Sequence, residues 1–291
     1  MSPAGLPAGR ASSPARRAAA VPVTPRTALA LVLASVVGLL AFGWPLLVDP
    51  GAVLGTGTDA PLALAVVLVA VLGVLFVGLG EGTLDVKAIA VLGLLSAVGA
   101  VLRPLAAGMA GVETVFFLLV LAGRVLGPGF GFVLGATTLF ASALLTGGVG
   151  PWLPFQMFGA AWVGLGAGLL PRRARGATEV AMLAGYAVVA ALAFGLAMNL
   201  SFWPFQLGLG TDLSFVAGEP PRENLRRFLL YSLTTSLGWD IGRAVTTAAG
   251  VLLLGRPVLA TLRRAATRAA FAPAPASGSA PAGHDARTPP A

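Results

Sequence analysis

Apolar residues occur in long runs along most of this chain, and short links rich in glycine, proline and charged residues separate the runs. A helix needs roughly 20 mostly apolar residues to cross a bilayer, and eight runs are candidates for such helices. They cover residues 27–48, 61–79, 88–102, 114–125, 130–145, 155–170, 180–200 and 228–254. The pattern predicts an all-α integral membrane protein with about eight transmembrane helices.

The composition supports a membrane protein and leaves little room for other functions. Hydrophobic residues make up 57% of the 291 residues and charged residues 10%, whereas a soluble domain has roughly 25% charged residues. Eight spans with their links and tails use nearly the whole chain, so no soluble domain of roughly 100 residues remains. This excludes a built-in ATPase or a large catalytic domain.

The ends of the chain differ from its apolar body, and they divide the chain into four parts. Residues 1–26, rich in Ala, Pro and Arg, are expected to form a disordered cytosolic leader. Residues 27–86 hold two extra transmembrane helices, of which the first exceeds the roughly 7–15 residues of a signal-peptide core and is expected to stay uncleaved. Residues 87–254 form a six-helix core. Residues 255–291 form a basic amphipathic segment, attracted to anionic lipid at the cytosolic surface, and a disordered tail.

Basic residues mark one side of the predicted membrane protein. The leader and the C-terminal segment are rich in arginine, and eight crossings place the arginines at 172–175 on the same side. The link at 49–60 has two aspartates and no Lys or Arg, and it falls on the other side. Because cytoplasmic loops are enriched in Lys and Arg, we expect an inner (plasma) membrane protein with both termini in the cytosol. The net charge of +8 then indicates orientation rather than nucleic-acid binding.

The predicted outer loops, 103–113, 147–154 and 201–227, contain polar and aromatic residues that suit a small-molecule site. With the outer ends of the last three spans, they supply nine candidate substrate-binding residues: Arg103, Glu113, Trp152, Gln156, Asn199, Trp203, Gln206, Tyr231 and Thr235. Aromatic residues at a membrane edge also serve as interfacial anchors, so the tryptophans have that second interpretation.

The last span carries a polar stripe on one helical face, since its members are spaced by four, four, three and four residues. They are Ser232, Ser236, Asp240, Arg243 and Thr247. A charge at the centre of a bilayer costs at least ~2.5–3.5 kcal/mol, so this face is expected to look into the bundle or a wet cavity. Asp240 and Arg243 have opposite charges one turn apart, and we expect them to form a structural ion pair.

Small residues recur every four positions along two of the spans. The two rows are Gly127, Gly131 and Gly135, and Ala160, Gly164 and Gly168. Such rows let helix backbones approach closely in lipid, and packing within the monomer is their expected use.

Motifs for enzymatic chemistry are missing. The chain has no cysteine, and its one histidine, His284, lies in the Pro/Ala-rich tail, so no metal site and no cofactor are expected. No phosphate-binding loop for ATP is present. A membrane enzyme acting on lipid, with Asp240 and Glu113 as its acids, is one alternative, and a non-catalytic membrane scaffold is another.

The block at 87–254 resembles the substrate-binding S-component of an energy-coupling factor (ECF) vitamin transporter. Three stretches carry the resemblance: the small-residue helix AIAVLGLLSAVGA at 88–100, the glycine-punctuated turn GPGFGFVLG at 127–135, and GPWLPFQM at 150–157. Six helices with both ends inside, and long outer loops, also fit. The two preceding spans depart from the six-helix pattern.

The resemblance implies a transport subunit and not an enzyme. Such a protein captures a vitamin or related micronutrient and associates with a transmembrane coupling subunit and two ABC ATPase subunits, which hydrolyse the ATP. Its first core helix is expected to contact the coupling subunit through Ala90, Gly93, Ala97 and Val101. The stretch at 152–156 and the wide last loop look most like members linked with cobalamin or its precursors. Riboflavin, thiamine, a pterin or a queuosine precursor are alternatives.

Overall fold

A computed structural model describes residues 19–47, 60–106, 109, 111–206, 211–216 and 218–269. The predicted leader lies outside the described residues up to position 18, and so do the link at 48–59 and the tail from 270 onward. The described part of the chain is all-α, as predicted, and it contains no β-strand.

The described residues form nine α-helices, of which eight lie on the eight predicted spans, whereas α8 lies mostly in the predicted outer loop at 201–227. They are α1 (Pro25–Leu47), α2 (Ala60–Gly80), α3 (Val86–Leu102), α4 (Phe116–Leu126), α5 (Pro128–Thr146), α6 (Leu153–Leu169), α7 (Gly176–Gln206), α8 (Pro221–Tyr231) and α9 (Leu237–Ala269). A 3₁₀ turn, Arg103–Ala106, extends α3, and a π-helical turn, Ser232–Ser236, joins α8 to α9. Five helical segments are long and apolar enough to cross a bilayer, and α2, α4 and α6 contribute shorter apolar stretches.

Residues at the helix ends explain where the chain turns. The Asp85 carboxylate caps α3 by accepting the Ala88 N–H at 2.7 Å. Gly127 has a φ of 113°, which residues with a Cβ rarely adopt, and Pro128 begins α5 directly after it. The chain therefore turns from α4 into α5 at a single residue.

The short helix α4 lies at the centre of the bundle. It packs against α5, α6, α7 and α9, and all of its 11 residues except Phe117 are buried. At 1.5 Å per residue it is about 16 Å long, roughly half of the ~30 Å hydrocarbon core. Because lipid offers no hydrogen-bond partner, its last carbonyls are satisfied within the protein. The N–H groups of Ala20 and Val21 donate to Val125 and Leu126 at 3.2 and 2.9 Å.

The closest contacts in the core join the backbones of α4, α5 and α6. A Cβ built at Gly131 would overlap with the backbone of Gly164, and a Cβ at Gly164 would overlap with that of Gly131. Gly123 also meets Gly164, and Gly135 meets the backbone of Ala160 in the same way. The two predicted rows of small residues therefore face each other, which confirms that they pack within the monomer.

The two extra helices pack on the α5–α6–α7 side of the core. α1 contacts α2, α5, α6 and α7, and α2 contacts α5 and α6. The Phe42 ring lies 5.1 Å from that of Phe155 and 5.4 Å from that of Trp162, centroid to centroid. Trp162 Nε1 donates to Ser35 Oγ at 3.2 Å. These contacts leave α3 packed chiefly on α5.

Two basic segments and the residues just before α1 lie at one end of the bundle. The segment before α1 bonds to the last turn of α4 through Ala20. Arg263 of α9 contacts Glu179 at the start of α7, and Glu179 also contacts Arg124 in that turn of α4. The link at 172–175 enters α7 at the same place. The described residues before α1, this link and the C-terminal basic segment therefore lie close together.

We expect Gly164→Val to destabilise the protein, because a side chain at this position has no room beside Gly131. Overpacking typically costs about 1–3 kcal/mol, so the variant in detergent should unfold several degrees below the wild type. Gly185→Val is the matched control, since no atom lies within 4 Å of a Cβ at this exposed position of α7. Equal unfolding midpoints for the two variants would contradict the backbone contact.

Candidate functional site

Residues from the end of α3, the link before α4, the start of α6 and α9 form a group that we call the polar cluster: Arg103, Glu113, Gln156 and Thr246. Arg103 Nη2 donates to Gln156 Oε1 at 2.8 Å. The Glu113 N–H donates to Thr246 Oγ1 at 3.0 Å. The cluster thus joins four segments that are far apart in the sequence.

Glu113 is the acid of the polar cluster. Its Oε1 accepts the Val115 N–H at 3.1 Å, and its carboxylate lies within electrostatic range of Arg243 and Arg103. Burial raises the pKa of the Glu113 carboxyl, while the Val115 N–H and the two arginines oppose this shift. A carboxylate, a guanidinium and an amide, all half-buried, therefore lie close together, which suits orientation of a small polar ligand.

Asp240 and Arg243, one turn apart on α9, form an ion pair that packs against α7. Arg243 Nη1 lies 2.6 Å from Asp240 Oδ1, and their side chains are 18% and 8% exposed. The Asp240 carboxylate fills the space that a Cβ at Gly195 would need. The Arg243 guanidinium lies 5.2 Å from the centroid of the Phe194 ring, within the range of a cation–π contact. This packing supports the structural role, which stays a prediction.

The polar stripe of the last span faces the bundle. Ser232, Asp240 and Thr247 are buried, and Ser236 and Arg243 are half-buried. The prediction that this face avoids lipid is confirmed.

Trp203 and Tyr231 lie in a separate aromatic cluster, together with Phe215 and Phe228. Trp203 is fully buried, and its Nε1 donates to the Leu213 carbonyl at 2.7 Å. Its ring centroid lies 5.3 Å from that of Phe215 and 5.5 Å from that of Phe228, and Tyr231 completes the group. Trp203 therefore fixes the last loop to the end of α7.

The other four candidates make separate contacts: Trp152, Asn199, Gln206 and Thr235. Trp152 is exposed and donates to a backbone carbonyl four residues earlier. Asn199 Nδ2 lies 3.5 Å from Ser232 Oγ. Thr235 is exposed and bonds to a carbonyl of its own helix. Gln206 ends α7, and its side chain lies outside the described part. Among the described residues, no three His, Asp or Glu side chains could together hold a metal ion.

A second charge cluster, which the sequence pattern did not predict, lies at the other end of α4. Arg124 Nε lies 2.7 Å from Glu179 Oε1, and Arg263 Nη2 lies 2.7 Å from the same oxygen. The sequence did contain a sign of this cluster, because an arginine within the apolar run at 114–125 requires a polar partner. The identity of that partner, 55 residues away, was not readable from spacing.

We expect Asp240→Asn and Arg243→Gln each to lower the free energy of unfolding, because each leaves the other charge without its partner. Breaking a fully buried pair costs ~3–5 kcal/mol, and the exposure of Arg243 reduces this to roughly 1–3 kcal/mol. The double variant should lose less than the sum of the single losses. Arg226→Gln, which breaks the exposed pair with Glu223, is the control and should change little. Additive losses would exclude a direct pair.

Comparison with known proteins identifies a family. A family model described as "ECF transporter, substrate-specific component" matches residues 87–253, whereas no curated protein and no solved structure matches the chain. The matched block begins at the start of α3 and ends within α9, so it contains the polar cluster and the Asp240–Arg243 pair. Since it covers more than half of the chain, the protein belongs to the family of ECF transporter substrate-specific components.

Proposed function

We propose that this protein binds a vitamin or related micronutrient at the polar cluster and presents it to an ECF-type ABC importer. The observation that carries the proposal is the bond from Arg103 to Gln156 beside the half-buried carboxylate of Glu113. This arrangement lies within the block that matches a substrate-specific family. A transport subunit needs such a site, because it selects a ligand without changing it.

The chemistry of the polar cluster supports a particular kind of ligand. The guanidinium of Arg103 has five N–H donors, and the Gln156 oxygen fixes its orientation. Arg103 and Arg243 are balanced by Glu113 and Asp240, so the region as a whole carries little net charge. A polar ligand without a large net charge fits best. Cobalamin or one of its precursors is the first to test, followed by riboflavin, thiamine, a pterin and a queuosine precursor.

The face of α3 that bears Ala90, Gly93, Ala97 and Val101 is the proposed contact with the transmembrane coupling subunit. All four residues are exposed, and no atom lies within 4 Å of a Cβ built at Gly93. A partner helix could approach this face closely. The ATP would be hydrolysed by two separate ABC ATPase subunits.

The proposed location is the inner (plasma) membrane, with both termini in the cytosol. The link at 172–175 and the end of α9, both of which carry arginines, meet at the end of the bundle where the chain before α1 contacts α4, and this supports the topology. The positive-inside rule would place their common end in the cytosol. The polar cluster, at the opposite end of α4, would then face the exterior.

We expect the purified protein to be stabilised thermally by at least one compound of the vitamin panel, without ATP. Arg103→Gln and Gln156→Leu should each weaken that binding by ~10-fold or more, since hydrogen bonds to charged groups contribute ~1.5–3 kcal/mol. Arg222→Gln, an exposed arginine at the start of α8, should bind like the wild type. A panel without any stabilising compound, or equal losses in all three variants, would refute this assignment.

The α3 contact is tested by co-purification with the coupling subunit. Gly93→Leu should abolish co-purification and leave vitamin binding unchanged, because the new side chain blocks close approach of a helix. Gly185→Leu, at an equally open glycine of α7, should behave as the wild type. Retention of the coupling subunit by Gly93→Leu would place the contact elsewhere.

A further inference from the structure

Three arginines surround one acid at the end of the bundle where α4 ends and α7 begins. We call Arg124, Arg172, Glu179 and Arg263 the arginine cluster. Besides its 2.7 Å contact with Glu179, Arg124 donates through Nη1 to the Leu170 carbonyl at 2.9 Å. Arg263 Nη2 contacts both carboxylate oxygens of Glu179, at 2.7 and 2.8 Å. Arg172, in the link before α7, donates through Nη2 to the Gly168 carbonyl at 3.4 Å, and it lies within electrostatic range of both Arg124 and Glu179.

The arginine cluster has an excess of two positive charges, because it contains three guanidinium groups and one carboxylate, which contacts only Arg124 and Arg263. The side chains of Arg124 and Glu179 are only 3% and 4% exposed, whereas that of Arg263 is 32% exposed. Burial and the neighbouring Arg124 lower the pKa of Arg172, and Glu179 opposes this shift. Partly buried charges of one sign are unfavourable unless an opposite charge joins them. The more accessible members, Arg172 and Arg263, are where a further anion would bind.

We propose that the arginine cluster is a binding site for a phosphate-bearing anion, held between Arg172 and Arg263. Guanidinium groups bind phosphate through paired, charge-assisted hydrogen bonds. Two sources carry this chemistry, namely the headgroup of an anionic phospholipid and free phosphate. The surroundings favour lipid, because Leu169, which precedes the Leu170 carbonyl bound by Arg124, is 66% exposed and offers an apolar surface for an acyl chain. Basic pockets between helices at a membrane surface commonly bind anionic headgroups.

Binding at this site is distinct from a general electrostatic attraction of the C-terminal segment to the membrane surface. The segment after residue 254 continues α9 without a break as far as Ala269. Leu259 and Leu262 of this extension are buried, and Arg263 is bonded to Glu179. The extension therefore positions one arginine against the bundle, and the proposed anion bridges it to the 172–175 link.

The test uses the full chain in nanodiscs of phosphatidylcholine with and without phosphatidylglycerol. The readouts are the unfolding midpoint and the number of phosphatidylglycerol molecules retained in native mass spectra. Arg172→Gln removes no bond between Arg124, Glu179 and Arg263, so it should fold, and Arg173→Gln replaces an exposed neighbour in the same link. Phosphatidylglycerol should stabilise the wild type and Arg173→Gln, and Arg172→Gln should bind it at least ~10-fold more weakly.

Inorganic phosphate alone, added to the protein in phosphatidylcholine, distinguishes the two sources. Stabilisation by phosphate that Arg172→Gln abolishes would support the site and assign it to a free anion, whereas stabilisation by phosphatidylglycerol alone would assign it to lipid. The proposal is overturned if neither probe stabilises the wild type. It is equally overturned if Arg173→Gln loses as much binding as Arg172→Gln, because the attraction would then be a property of the whole basic surface.

Discussion

The contact between the backbones of α5 and α6 at Gly131 and Gly164 is the constraint on which the rest of the bundle depends. Lipid gives apolar helices no hydrophobic reason to associate, so their association depends on close packing and on polar contacts. Gly123 brings the backbone of α4 to the same point, and α4 is thereby enclosed. An enclosed helix of 11 residues is too short to cross the membrane. Residues on either side of α4 must therefore provide, within the protein, polar partners for the ends of this helix.

Both charge clusters follow from the enclosure of α4. At its start, the preceding link carries Glu113 to Thr246 and into the range of two arginines. In its last turn, Arg124 reaches Glu179. An acid near the start of a helix and a base near its end are the signs that the helix dipole favours. The two clusters differ in net charge. Acids and arginines are equal in number around the first, whereas arginines outnumber the acid at the second. One suits a polar ligand of little net charge, and the other attracts an anion.

The sequence predicted the parts of this arrangement that depend on local pattern. Apolar runs located every helix of the described residues except α8, whose polar residues lie mostly in the predicted loop at 201–227. Spacing by about four identified both the buried stripe of the last span and the glycine rows. Partners that are distant in the chain could not be predicted, because spacing along one helix says nothing about which other helix it faces. Arg124 with Glu179 is such a pair. Trp203 illustrates the same limit: its position near the membrane edge suggested a ligand contact or an anchor, whereas its burial against Phe215 and Phe228 depends on how the last loop folds back.

The position of α3 connects the proposed ligand site with the proposed partner surface. α3 packs chiefly on α5, where Ser96 Oγ lies 2.8 Å from Thr137 Oγ1 and a Cβ at Gly99 would overlap with Thr138. Its other face is open at Gly93, and its end leads directly into Arg103, which bonds to Gln156. Under the proposed function, a coupling subunit that shifted α3 along α5 would pull on that bond without disturbing the glycine contacts of α5 with α6. A helix held on one side only is therefore suited to transmit docking to the ligand site, while the rest of the bundle stays rigid.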